Sequence, residues 1–93
     1  MKKQEQVTGE LQIINPLGLH ARAASKLVSL ANKYGADVWI DKDGTEVNGK
    51  SILGVLMLAA AKGTIITLRC EGGDAPDAYR AIEDLVKDGF GEL

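Results

Sequence analysis

The chain has one cysteine and one histidine in 93 residues. A single thiol closes no internal disulfide and builds no cysteine cluster, and a single imidazole excludes metal sites that need two. Aromatic residues make up only 4%, so the core is expected to be aliphatic. Neither sign of charge dominates: 11 Lys plus Arg against 13 Asp plus Glu leave a formal charge of -2, too balanced for a dedicated nucleic-acid binder. The longest apolar run, 55–61, falls far short of the ~20 residues that cross a membrane. Residues 1–6 lead into no apolar stretch of signal-peptide length. Walker and Gly-x-Gly-x-x-Gly loops are absent, so no nucleotide cofactor is expected. The default expectation is a soluble cytoplasmic protein, in a reducing compartment, without metal or cofactor. Residues 1–93 are expected to form one domain around a core drawn from 45% apolar residues.

Residues 7–14 alternate, with Val7, Gly9, Leu11 and Ile13 on one side and Thr8, Glu10 and Gln12 on the other, the pattern of a half-buried strand. Pro16 and Gly18 break it. Ala24, Leu27, Val28, Ala31 and Tyr34 then recur at helical spacing, widened by Leu30, from a start near His20 or Ala21 to a cap at Gly35. Residues 37–41 and 45–47 read as strands around an Asp43-Gly44 turn. Ser51 is placed to cap a helix over 52–60, ended by Lys62-Gly63. Residues 64–70 are β-branched and apolar, a strand. Asp74 is a candidate cap and Pro76 suits the first turn of a last helix, whose stripe is Ala75, Ala78, Tyr79, Ile82, Leu85 and Val86 and whose end is Gly89. The order β-α-β-β-α-β-α implies two layers, with helices on one face of a largely antiparallel sheet.

His20 follows Asn15-Pro16-Leu17-Gly18-Leu19 and opens a helix. The first turn of a helix exposes unpaired N–H groups and a partial positive field, which together suit a phosphate. That field also disfavours a second positive charge on the ring and so favours the neutral, nucleophilic imidazole. Arg22 adds a guanidinium able to pair with phosphate oxygens. The alternative is an ordinary surface histidine. Without nucleotide machinery, a phosphate on His20 would have to be placed and removed by other proteins, which describes a carrier.

Ile52, Leu53, Val55, Leu56, Met57 and Leu58 fill nearly every position of the second helix, more than one buried face needs. Either the core uses all of them or some form an exposed patch for a partner. Ser51 is equally two-sided. It is a helix cap, or a phosphorylation site whose charge beside Ile52 and Leu53 would oppose docking.

Gly18-Leu19-His20-Ala21-Arg22 with Ala23-Ala24 resembles the active-site motif of the histidine-containing phosphocarrier (HPr) family of the bacterial phosphotransferase system. Asn48-Gly49-Lys50-Ser51-Ile52-Leu53-Gly54-Val55 resembles that family's regulatory-serine segment, and Ala61-Lys62-Gly63-Thr64 its turn into the last strand. The resemblance implies an open-faced β-sandwich, a four-stranded antiparallel sheet in the order 1-4-2-3 with three helices on one face. It implies a monomeric carrier in which His20 accepts a phosphoryl group through Nδ1 from enzyme I and passes it to an EIIA-type protein. By the same resemblance Arg22 assists at the phosphohistidine, Ser51 is the target of an HPr kinase/phosphorylase, and Leu19, Ile52, Leu53 and Leu56 belong to the docking surface. One position departs: many members have proline after the arginine, where this chain has Ala23, which also fits the nitrogen-regulatory branch. Altered transfer rates, rather than lost function, are expected from it. A mainly regulatory binding module, uncoupled from sugar transport, is the competing reading.

Overall fold

The computed structural model describes residues 5–93, so most of the extension before Val7 lies outside the described residues. Four strands, β1 (Gln6–Gln12), β2 (Asp37–Lys42), β3 (Thr45–Asn48) and β4 (Ile65–Glu71), and three helices, α1 (Ala21–Ala31), α2 (Ile52–Met57) and α3 (Ala75–Lys87), follow one another in the order β-α-β-β-α-β-α. A short 3₁₀ turn, Gly89–Gly91, follows α3. The sheet is antiparallel throughout, in the order β1-β4-β2-β3. The helices cover one face, giving the open-faced arrangement expected.

Alternation sorts the two faces. Leu11 pairs with Ile66, Ile40 with Leu68 and Val38 with Cys70, and all six are buried under the helices. On the open face Arg69 lies over the Trp39 ring, 5.7 Å from its centroid, and pairs with Glu46 at 2.9 Å and with Glu71. The β2–β3 turn is the tight one expected: Asp43 and Gly44 have φ of 52° and 87°, and Asp41 Oδ1 accepts the Gly44 N–H at 3.1 Å.

The core is aliphatic with one exception. Phe90, the only phenylalanine, is fully buried and is the largest such side chain. It reaches the core because Gly89, Phe90 and Gly91 are all left-handed, with φ of 62°, 57° and 75°. Flanking glycines make that conformation accessible, and burial of the ring offsets its cost at Phe90 itself.

Two helix ends and one cap bond differ from those read in the sequence, and β1 stops at Gln12 rather than at residue 14. Helix α1 ends at Asn32 rather than Gly35, because the Asn32 amide bonds back to Val28 O at 2.9 Å and to Lys50 O at 3.4 Å. Helix α2 stops at Met57 rather than at residue 60. Lys42 Nζ donates to Leu58 O and Ala59 O, and Ala59 turns left-handed at φ 48°. Asp74 makes no cap bond at α3. Its carboxylate instead accepts the N–H groups of Gly35 and Ala36 at 2.8 and 2.7 Å, tying the α1–β2 loop to the start of α3.

Candidate functional site

His20 is the N-cap of α1. Two backbone features place it there. Gly18 N–H donates to Asn15 O at 3.1 Å, closing the turn, and Leu19 N–H donates to Ala60 O at 2.9 Å. Gly18 itself is left-handed, φ 64°, and a Cβ there would sit 2.3 Å from Ala60 O. The early stop of α2 thus serves the site, since the turn at Ala59 delivers the Ala60 carbonyl that anchors the loop before His20.

Both ring nitrogens of His20 are engaged. Nδ1 accepts the Arg22 N–H at 3.3 Å, and Nε2 lies 2.5 Å from Glu92 Oε2. An acceptor of an N–H bond carries a lone pair, and a nitrogen facing a carboxylate carries a proton. The network therefore assigns the Nε2–H tautomer, with the Nδ1 lone pair turned to the Arg22 N–H at the helix start. The His20 and Glu92 side chains are 27% and 18% exposed. With Pro16, Leu17 and Arg22 they line a cleft of about 270 Å³.

Glu92 has a second partner. Its Oε1 accepts from Asn15 Nδ2 at 2.9 Å. The Asn15 amide, followed by the His20 contact and the charge of Lys26, holds this carboxyl below the usual glutamate range against the opposing cost of burial. Lys26 Nζ donates to Phe90 O at 2.7 Å, fixing the segment that carries Glu92. Sequence reasoning missed Glu92. It lies 72 positions from His20, and only the left-handed turn around buried Phe90 returns it to the ring.

Arg22 is exposed, lines the His20 cleft and makes no ion pair among the described residues. It begins a basic stripe with Lys26 on α1 and Lys33 just past its end, in a groove that also holds Ser25 and Ser29. Ser51 is the N-cap of α2, its Oγ accepting the Gly54 N–H at 3.1 Å. The residues expected to dock partners divide. Ile52 and Leu53 are exposed and Leu56 half-buried, with Met57 also exposed. Leu19 is not on the surface: at 4% exposure it is part of the core, because the loop bond to Ala60 turns it inward. Leu17, 72% exposed, is the leucine that faces out beside His20. Within the second helix only Val55 is buried, so its surplus of apolar residues makes an exposed patch.

The family profile described as "PTS HPr component phosphorylation site" matches residues 7–88. The chain belongs to the HPr family. It is 51% identical over 82 residues to the phosphocarrier protein HPr of Neisseria meningitidis, covering 88% of this chain and 92% of that one. Among solved structures it is similar to HPr from Thermoanaerobacter tengcongensis, with a TM-score of 0.88 at 39% identity over 96% of this chain and 98% of that one. It is also similar to HPr from Bacillus anthracis, with a TM-score of 0.84 at 42% identity over 87% and 96%. An HPr protein carries phosphoryl groups within the phosphotransferase system and is a carrier rather than a self-sufficient enzyme. The HPr family works with enzyme I and EIIA proteins.

Proposed function

We propose that His20 is the phosphorylated residue and that Nδ1 is the atom that carries the phosphoryl group. The observation that supports this most strongly is the pair of hydrogen bonds that leaves the Nδ1 lone pair at the first turn of α1 while Glu92 holds the proton on Nε2. In the transfer, Nδ1 attacks the phosphorus of phosphorylated enzyme I in line, the donor's P–N bond breaks, and its electron pair stays with the donor's ring. Charge spreads over three equatorial oxygens. The Arg22 N–H, released from Nδ1, and the Arg22 guanidinium are placed to stabilise that charge. The phosphorylated ring keeps its Nε2 proton and gains positive charge, which the Glu92 carboxylate neutralises. Reversal of the same step onto an EIIA-type protein completes the cycle.

The exposed Leu17, Ile52, Leu53 and Met57 supply an apolar docking surface that excludes water during transfer. The basic stripe of α1 favours acidic partner surfaces. Ser51 is the proposed regulatory phosphorylation site. It is partly exposed at the start of α2, and nearly two negative charges there, beside Ile52 and Leu53, would oppose docking. An HPr kinase/phosphorylase is the partner this implies. The carrier is proposed to act as a cytoplasmic monomer, its 93 residues a single domain. No helix among the described residues is long and apolar enough to cross a membrane.

Incubation with enzyme I and phosphoenolpyruvate tests the assignment. One acid-labile, base-stable phosphate per chain is expected, and none on His20→Ala. Undiminished labelling of His20→Ala, or no labelling of the folded parent, would overturn it.

A further inference from the structure

We infer that Asn15 is a positioning residue for the nucleophile, acting through Glu92 to set which nitrogen of His20 carries the proton. The inference rests on His20 being the phosphorylated residue, and it extends that reading to a side chain that touches neither ring nor phosphate.

Asn15 is the one polar residue among the described residues that is fully buried, at 0% exposure. Burial of a carboxamide is costly unless its groups are bonded. Its amide nitrogen uses both protons, one on Gly18 O at 2.8 Å and one on Glu92 Oε1 at 2.9 Å. Both partners are acceptors only, which fixes the orientation of the amide: the flipped form would set Oδ1 against a carbonyl and a carboxylate. The price of this arrangement is visible at the other end, where Oδ1 is buried with no hydrogen-bond partner among the described residues. A group left so in a well-packed core calls for an explanation. Here the unbonded oxygen is offset by what the nitrogen does.

The nitrogen joins two ends of the site. Through Gly18 O it braces the turn that precedes His20. Through Glu92 Oε1 it orients the carboxylate so that the other oxygen, Oε2, meets Nε2 at 2.5 Å. With Glu92 held, Nε2 is the protonated nitrogen and Nδ1 keeps its lone pair at the helix start. With Glu92 released, the positive end of α1 still favours the lone pair at Nδ1, but the carboxylate no longer selects the tautomer. The charged neighbours are Arg22, on the ring's own helix, and Lys26, whose Nζ is on Phe90 O. Neither can replace Glu92 as an acceptor for the Nε2 proton. The arrangement also explains why an asparagine suits position 15. An aspartate of the same shape would place a third acceptor against Gly18 O and Glu92.

The test is a tautomer measurement on the unphosphorylated protein, by long-range proton–nitrogen NMR of the His20 ring at a pH well above ~6.5, the ordinary imidazole value. The parent should show the Nε2–H form in large excess. In Asn15→Ala the share of the Nδ1–H form should rise about fivefold, the net scale of one ordinary hydrogen bond. In a Glu92→Gln background the same substitution should change the ratio little, because the two act in series. An unchanged ratio in folded Asn15→Ala, or an equal change in both backgrounds, would overturn the inference. If Asn15→Ala does not fold, the parent and Glu92→Gln decide. The Asn15 carboxamide proton resonances should move when Glu92 loses its charge, and fixed resonances would overturn the inference. None of these readouts involves phosphate, so a failure of the phosphorylation assay is a separate result.

Discussion

Gly18 shows how narrowly the site depends on single positions. Its left-handed φ and the 2.3 Å that would separate a Cβ from Ala60 O both oppose any side chain. Gly18→Ala is therefore expected to cost about 2–4 kcal/mol of stability, from strain plus backbone displacement, and to slow phosphoryl transfer because the loop anchored at Ala60 carries His20. Denaturant unfolding and a transfer assay would check both; a change under ~0.5 kcal/mol, the range of ordinary surface substitutions, would contradict the account. At this scale the sequence was legible where chemistry and local spacing coincide. His20 and Arg22 stand at a helix start because Pro16 and Gly18 break the chain just before it. Glu92 was not legible, since its approach depends on the burial of Phe90 between two glycines. Leu19 was misplaced for a related reason: helical or strand periodicity does not operate in the loop 13–20 between β1 and α1, so nothing local told Leu19 from Leu17.

The second helix carries the clearest element-level consequence. Six residues form α2 and only Val55 is fully buried, with Leu56 packed beside it, so the bonds from Ser51 at one end and Lys42 at the other supplement a narrow apolar face. An exposed leucine at 69% contributes little to such a helix. Leu53→Ser should change stability by no more than ~0.5 kcal/mol. It should raise the concentration of this protein needed for half-maximal labelling by enzyme I about tenfold, as expected of an apolar interface contact worth over ~1 kcal/mol. Loss of stability without loss of labelling efficiency would place Leu53 in the fold and not in docking. The density of apolar residues in 52–58 signalled either a core or a patch, and only the tertiary course of the chain after Met57 separated them. That course is set by Lys42 and by the Ala60 bond to Leu19, neither of which leaves a trace in periodicity.

For the molecule as a whole, the element order was readable from alternating and helical patterns, while the sheet order came from resemblance. Pairing of β1 with β4 and of β4 with β2 joins segments far apart in the chain, and no local signal records it. The tie between Asp74 and the α1–β2 loop belongs to the same class. The Gly35 N–H first, and then Ala36, holds the Asp74 carboxyl below its usual range against some cost of burial. A carboxylate whose value is depressed on folding stabilises the native state above its unfolded value, ~3.9 for aspartate. That stabilisation is lost as the pH falls through the lower folded value. Asp74→Asn should therefore unfold more easily than the parent at neutral pH, with the gap closing in acid below ~3.9. Thermal melts across that range would show it, and a gap independent of pH would argue against the tie.

The central claim is that this molecule brings its chemistry to one atom, Nδ1 of His20. Heteronuclear NMR of the protein phosphorylated by enzyme I and phosphoenolpyruvate tests that most directly. The phosphorus should couple to Nδ1 of His20, with Nε2 still protonated. Phosphorus coupled to Nε2, or found on any other residue, would contradict it.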